Sequence, residues 1–397
     1  MHTSKTELLP KAILLFIIIS RFISEISNTN FYHRSNFVWG VSGIFLIFMI
    51  LWPFFALQNK GELHNLKRYF PVILYIIYIS FRTDYFELIS FKSFLSEFIV
   101  WALFLTTNKL CEQNEQLSNS IQKLIVLIIQ LCILIGLFQL VLNLFHFFPS
   151  SVVNLEAFYD LRPVHSIFNH PNSFVIIVLP FSIYFLEKKK YLWLITTIVV
   201  CAFSGTRSPF LILASLFIPI YKLLKNKKLK WIDILISISL ILTIYTSLIL
   251  TNLETKEYED YQSRFNLASF EWRVHYWKNF IEFNEPFIFL FGHGIGSAEI
   301  KGLDLESRSP HNDYLRIFYD LGVIGLCIYL ALMCFMFNLL MTSSNRYGAL
   351  IYLIIVSFSL SDNLIFFSYS IWLFIFLASI SIKNAGTIHL AFKYRAF

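Results

Sequence analysis

Residues 309–341 read SPHNDYLRIFYDLGVIGLCIYLALMCFMFNLLM. The stretch opens with a polar mouth. From Leu321 to Met341 it carries no charged residue. About 20 helical residues cross the roughly 30 Å hydrocarbon core of a bilayer, so the run predicts a spanning helix over 311–341. Ser309 suits an N-cap and Pro310 the first helical position, which places His311 in the first turn. Unpaired backbone N–H groups in that turn favour an anion. A neutral imidazole there is able to accept a proton. A polar residue at such a mouth is a candidate for function, with a plain helix cap or an interfacial hydrogen bonder as the alternative role.

The same apolar pattern recurs along the whole chain. Of its 397 residues 57% are hydrophobic and 14% charged, against about 25% charged in soluble domains. The fold class is therefore an all-α polytopic membrane protein, a single integral membrane domain over 1–397. About 12 transmembrane helices are expected, at 8–23, 37–57, 70–81, 88–107, 121–147, 171–186, 191–203, 209–224, 231–251, 311–341, 347–360 and 363–382. The first run lacks a small-residue cleavage site and reads as a retained helix. The cysteines (Cys111, Cys132, Cys201, Cys327 and Cys334) imply neither a disulfide framework nor a zinc site.

Loop charge sets the orientation. With both termini cytoplasmic, the lysine-rich segments 188–190 and 222–230 fall inside, and the outer loops are left with isolated arginines such as Arg34, Arg82, Arg162 and Arg207. The +7 net charge is then explained by topology and gives no reason to expect nucleic acid. Two outer segments remain, a short loop at 148–170 and a long one at 252–310. Long loops in compact proteins are usually functional or disordered. The second carries Trp272, Trp277, Phe280, Phe283 and Phe287 at near-helical spacing, which predicts an amphipathic helix on the membrane surface.

Three spans begin on this outer side with proline at or near the first turn, at His170-Pro171-Asn172, Arg207-Ser208-Pro209 and Ser309-Pro310-His311. Arg207 is either an arginine reaching the interface or a guanidinium fork for phosphate. Arg273 is either stacked on a neighbouring Trp or a second phosphate ligand. Arg162 is a solvated loop charge or a third; His170 and Asn172 cap a helix or contact substrate. Gly292-His293-Gly294-Ile295-Gly296 lacks the Lys-Ser/Thr of a nucleotide loop and reads as a tight turn. Arg316 and Asp320, spaced i, i+4, read as a self-neutralising pair, and Gly322 and Gly325 as close-packing positions. No outward acidic pair suits a divalent metal, so arginine is expected to carry the chemistry without metal or cofactor.

His311-Asn312, nine residues, Gly322, two residues, Gly325 resembles the His-Asn-x9-Gly-x-x-Gly pattern of the O-antigen ligase/polymerase superfamily. Phe168–Asn172, Ser204–Arg207, and Arg273 ahead of Gly292–Gly296 fall in that family's order, over roughly 160–330. Two positions depart from it: Asp320 where Glu is common, and Trp277 in an Arg-x3-Leu element. The resemblance implies a membrane glycosyltransferase of the GT-C type at the periplasmic face of the bacterial inner membrane. It implies His311, Arg207 and Arg273 as catalytic, and Arg162, His170, Asn172, Asn312 and Tyr314 as substrate-binding. The donor would be a glycan on undecaprenyl pyrophosphate. The acceptor would be a second lipid-linked glycan, in an O-antigen polymerase, or lipid A-core, in an O-antigen ligase. A chain-length regulator and membrane lipids would be further partners. A transporter is the alternative of a different class. It would place polar residues at mid-membrane on broken helices, not at helix mouths.

Overall fold

The apolar runs become helices because a helix satisfies its own backbone N–H and C=O groups where no water can. The computed structural model describes residues 18–19, 69–144, 164, 166, 171–204, 208–225, 227, 230–253, 273, 276–281, 285–304, 310–343, 347–360 and 370–381. Among the described residues all regular structure is helical. In chain order the helices are α1 (Phe70–Phe81), α2 (Leu88–Gln113), α3 (Glu115–Leu144), α4 (Pro171–Val178), α5 (Phe181–Glu187), α6 (Tyr191–Ala202), α7 (Ser208–Ser215), α8 (Phe217–Leu224), α9 (Trp231–Leu253), α10 (Pro286–Phe291), α11 (Ser297–Asp304), α12 (Asp313–Met341), α13 (Tyr347–Phe358) and α14 (Ser370–Ile380). Three of them are long and apolar enough to cross a membrane: Leu88–Glu112 in α2, Glu115–Leu142 in α3, and α12. The chain is a helical integral membrane protein. The expected spans at 8–23 and 37–57 lie outside the described residues, Ile18 and Ile19 excepted.

Prolines divide two expected spans. Pro180 separates α4 from α5, and Pro219 follows the break between α7 and α8. A proline ring carries no N–H, so each removes one rung of the helical ladder. The two helices of each pair stay in contact across the gap.

The core lies where α14 packs against α2 and α3 and where α12 packs against α1. Trp101 and Trp372 are fully buried, and Trp101 meets Phe374 edge-on at 5.3 Å. The last carbonyls of α14 find donors on neighbouring helices. Asn108 Nδ2 donates to Ala378 O at 3.2 Å and Ser118 Oγ to Ser379 O at 2.8 Å. Buried helix ends require such partners.

α12 departs most from expectation. Gly322 stands at φ 69°, ψ −170°, a region populated almost only by glycine. Fifteen residues of straight helix would separate Tyr314 from Tyr329 by about 22 Å. Their ring centroids are 6.0 Å apart, so the chain folds back at Gly322. The straight span expected over 311–341 is thus corrected to a short arm, Asp313–Leu321, and a span from Val323 to Met341. The span is about 28 Å long at 1.5 Å per residue, close to the roughly 30 Å hydrocarbon core.

Candidate active site

The cap of the arm is Asn312. Its backbone is extended, at φ −159° and ψ 108°, and its Oδ1 accepts from Leu315 N at 3.0 Å. His311 precedes the cap at φ 49°, which corrects the expectation that Ser309 caps and His311 sits in the first turn. Neighbours pull the chain off the helical path here. Trp277 Nε1 donates to Pro310 O at 2.5 Å, and Asp313 N donates to Ser359 O at 2.9 Å. His311 is held between these two anchors. Arg273 lies four residues before Trp277, so one tryptophan ties the segment carrying Arg273 to the segment carrying His311. Tyr314 OH donates to Val356 O at 2.9 Å, which fixes the arm to the end of α13.

The turn at Gly322 leaves carbonyls of the arm without helical donors, and a buried backbone carbonyl needs a partner. The glycine strap 292–296 supplies them. His293 N donates to Tyr319 O at 3.1 Å and Gly294 N to Asp320 O at 2.8 Å. Tyr78 OH, from α1, donates to Leu321 O at 2.9 Å. Arg82 ties the strap to the end of α1 twice. Its Nη2 donates to Gly292 O at 2.7 Å, and its carbonyl accepts from Ile295 N at 2.9 Å. Gly292 (φ 75°) and Gly322 (φ 69°) mark the crossing of the two backbones. A Cβ on Gly292 would strike the carbonyl of Asp320, and one on Gly322 the carbonyl of Leu290. The strap does reverse the chain as its sequence suggested, but its main partner is the broken helix.

Asp320 fastens the other end of the strap. Its carboxylate accepts from Gly296 N at 3.0 Å and from Ala298 N at 2.7 Å. It therefore caps α11 from a different helix, where the dipole favours an anion. The i, i+4 pair of Arg316 and Asp320 is present, but each of the two has closer partners elsewhere. Arg316 Nη1 stands 3.8 Å from Asp320 Oδ2, whereas Arg316 Nη2 meets Glu97 Oε1 at 2.5 Å. Asp320 is committed to backbone amides, so the guanidinium turns to α2.

Of the remaining candidate residues, Asn172 lies in the first turn of α4 and is half-buried. Arg162, His170 and Arg207 fall outside the described residues. Described residues close in sequence to two of them do meet: Val164 N donates to Phe203 O at 3.2 Å. Val164 follows Arg162 by two residues and Phe203 precedes Arg207 by four. Ser166, between Arg162 and His170, is buried and donates its hydroxyl to Cys132 O at 2.7 Å. Gln139 Oε1 accepts from Ser166 N at 2.8 Å. Val164 and Ser166 are thus anchored on the end of α6 and on α3.

A family model described as O-antigen ligase matches residues 192–330. This segment belongs to the O-antigen ligase/polymerase superfamily. No curated protein matches the chain. The superfamily segment covers about a third of the sequence, from α6 to just past the fold-back in α12. It contains Arg207, Arg273, the strap, His311 and Asp320. Glu97, Arg162, His170 and Asn172 lie outside it.

Within the superfamily segment, Tyr276, Trp277 and Phe280 form a small core with Ala298 and Tyr319. Phe280 is fully buried while Phe287 is 62% exposed. A turn at 279–281 and the extended Glu285 ahead of α10 place these two phenylalanines on different elements. Trp277 and Phe280 turn inward because α12 offers Tyr319, edge-on to Phe280 at 5.2 Å, and Pro310 offers a carbonyl. Trp272 and Phe283 lie outside the described residues.

The sequence reading missed Glu97, whose signal was its place as a lone acid in the middle of an apolar run. It also missed a role for His293. That ring stacks on Tyr319 at 4.1 Å. Burial pushes its imidazole pKa below the ordinary value, with Lys301 and Arg82 adding to the effect and the Tyr319 carbonyl opposing it. A depressed imidazole means that the unfolded strap binds more protons than the folded one. Strap stability is therefore constant above the ordinary imidazole pKa of about 6.5 and falls as pH drops from there through the lowered value. Amide exchange of 292–298, corrected for intrinsic rates, should accelerate between pH 7 and pH 5. His293→Phe should remove that dependence, and an unchanged dependence would reject the assignment to His293.

Proposed function

We propose that this protein transfers a glycan from an undecaprenyl-pyrophosphate-linked donor to a sugar hydroxyl of a second lipid-linked glycan, as a polymerase at the periplasmic face of the bacterial inner membrane. The observation that carries this reading is the Trp277–Pro310 bond. It lies inside the superfamily segment and couples the chain bearing Arg273 to the chain bearing His311. The resemblance, together with the charge pattern, supports a GT-C-like arrangement of about 12 spans with both termini cytoplasmic, and a long periplasmic loop over 252–310.

The chemistry follows from the charges. His311 takes the proton of the acceptor hydroxyl, and its oxygen attacks the anomeric carbon from the side opposite the pyrophosphate. The bond from that carbon to the pyrophosphate oxygen breaks, its electron pair leaves with the undecaprenyl pyrophosphate, and the anomeric configuration inverts. Arg207 and Arg273, with Arg162, meet the growing negative charge in place of a metal. His170, Asn172, Asn312 and Tyr314 complete the substrate-contacting set. A second reading, transfer to lipid A-core, is favoured by the description of the matching family as an O-antigen ligase.

His311→Ala and Arg273→Ala should each lower transfer by about 10²-fold or more. The check is the surface glycan of a deletion strain carrying each variant. Core bearing a single repeat unit marks a lost polymerase, and bare core with accumulated lipid-linked polymer a lost ligase. Normal glycan from His311→Ala would overturn the catalytic assignment. An unaltered glycan in the deletion strain itself would favour a transporter.

A further inference from the structure

We propose that Glu97 is a positioning residue for the transfer reaction, acting through Arg316 to set the place of His311 and of the glycine strap together; this rests on the function proposed above. Arg316 is the hub of a fully buried ionic cluster. Its Nη2 lies 2.5 Å from Glu97 Oε1 on α2, its Nε 3.6 Å from Asp313 Oδ1, and its Nη1 3.8 Å from Asp320 Oδ2. The exposure of these four side chains ranges from 0% to 2%. Tyr75 OH donates to Glu97 Oε2 at 3.2 Å and orients the carboxylate.

The two aspartates mark the two ends of the short arm. Asp313 follows His311 by two residues, and its backbone N–H is fixed on Ser359. Asp320 precedes Gly322 by two, and its carboxylate holds Gly296 and Ala298 of the strap and α11. One guanidinium therefore faces the end that places His311 and the end that fastens the strap. Glu97 is the only one of its three carboxylates that comes from another helix. It ties the arm to α2 through the shortest of the three ion pairs. Without its charge, Arg316 is drawn onto Asp313 and Asp320 and the arm loses its hold on α2. A reacting group displaced by about 1 Å costs about 10²-fold in rate.

The test uses full-length protein in lipid nanodiscs and the lipid-linked glycan extracted from the deletion strain. Glu97→Gln should lower kcat by about tenfold to a hundredfold while KM for the donor stays within about twofold. Amide exchange at 292–298 should rise, with α3 and α6 unchanged. Glu97→Asp should recover part of both. Wild-type kcat with unchanged strap exchange would overturn the proposal, and so would exchange that rises throughout the chain, which marks a merely structural role. Should Glu97→Gln fail to fold, Tyr75→Phe removes only the hydroxyl on Glu97. A several-fold loss in kcat with faster strap exchange then supports the proposal, and no change in either rejects it. If His311→Ala proves fully active, the functional reading fails by itself, while strap exchange still decides whether Glu97 couples the two ends.

Discussion

Gly322→Ala should destabilise the protein by about 3 kcal/mol or more and release the strap from α12. Two costs combine. The backbone at φ 69° and ψ −170° lies in a region closed to residues with a side chain, which costs about 1–3 kcal/mol by itself. The new methyl would also overlap the Leu290 carbonyl and stand 2.5 Å from Phe291 N. These are backbone atoms of α10, so no side-chain rotation relieves the contact, and the strap must lift. Lifting it unpairs the carbonyls of Tyr319 and Asp320, which then lack donors in a buried setting at about 1–3 kcal/mol each. Thermal unfolding of the detergent-solubilised protein, with amide exchange at 292–298, measures both effects. Wild-type values in both would show that the chain does not fold back at this glycine.

Arg316→Met should cost about 3–5 kcal/mol, the range for breaking a buried ion pair from one side. The thioether fills much of the volume but leaves Glu97, Asp313 and Asp320 in a dry site with no cation. Asp320 retains two backbone donors, so the penalty falls mainly on Glu97 and Asp313. Adding Glu97→Gln should return part of the loss, because it removes one of the stranded charges. Such non-additivity is expected for residues in direct contact. Unfolding of the two single variants and the double variant closes the cycle. Strictly additive losses would deny the coupling between α2 and the arm.

Much of the membrane architecture was legible in the sequence. The helices at 70–81 and 191–202, and the start of the one at 88, follow from apolar runs with few charges, whereas the interruptions at Pro180 and near Pro219 fall inside stretches whose apolar run reads as one continuous span. The mouth at 309–313 was legible as a polar junction. Its geometry was not, because capping depends on which groups compete for the local backbone. Ser309 and Asn312 are both good caps by type, and Asn312 prevails where Trp277 holds the Pro310 carbonyl and Ser359 holds the Asp313 amide.

The sequence by itself determined the class of the protein: an all-helical membrane chain with a superfamily signature around His311 and a glycine cluster shortly before it. Those features rest on composition and short-range spacing, which a linear reading captures. Only the tertiary structure decided that α12 folds back, that Asp320 holds the strap as well as facing Arg316, and that the shortest ion pair of Arg316 is with Glu97. The reason is physical. A glycine permits a reversal but does not require one. A buried charge chooses among partners by which of them have already been taken by backbone amides. Both choices are made by contacts between residues far apart in the chain: Gly292 with Asp320, and Glu97 with Arg316.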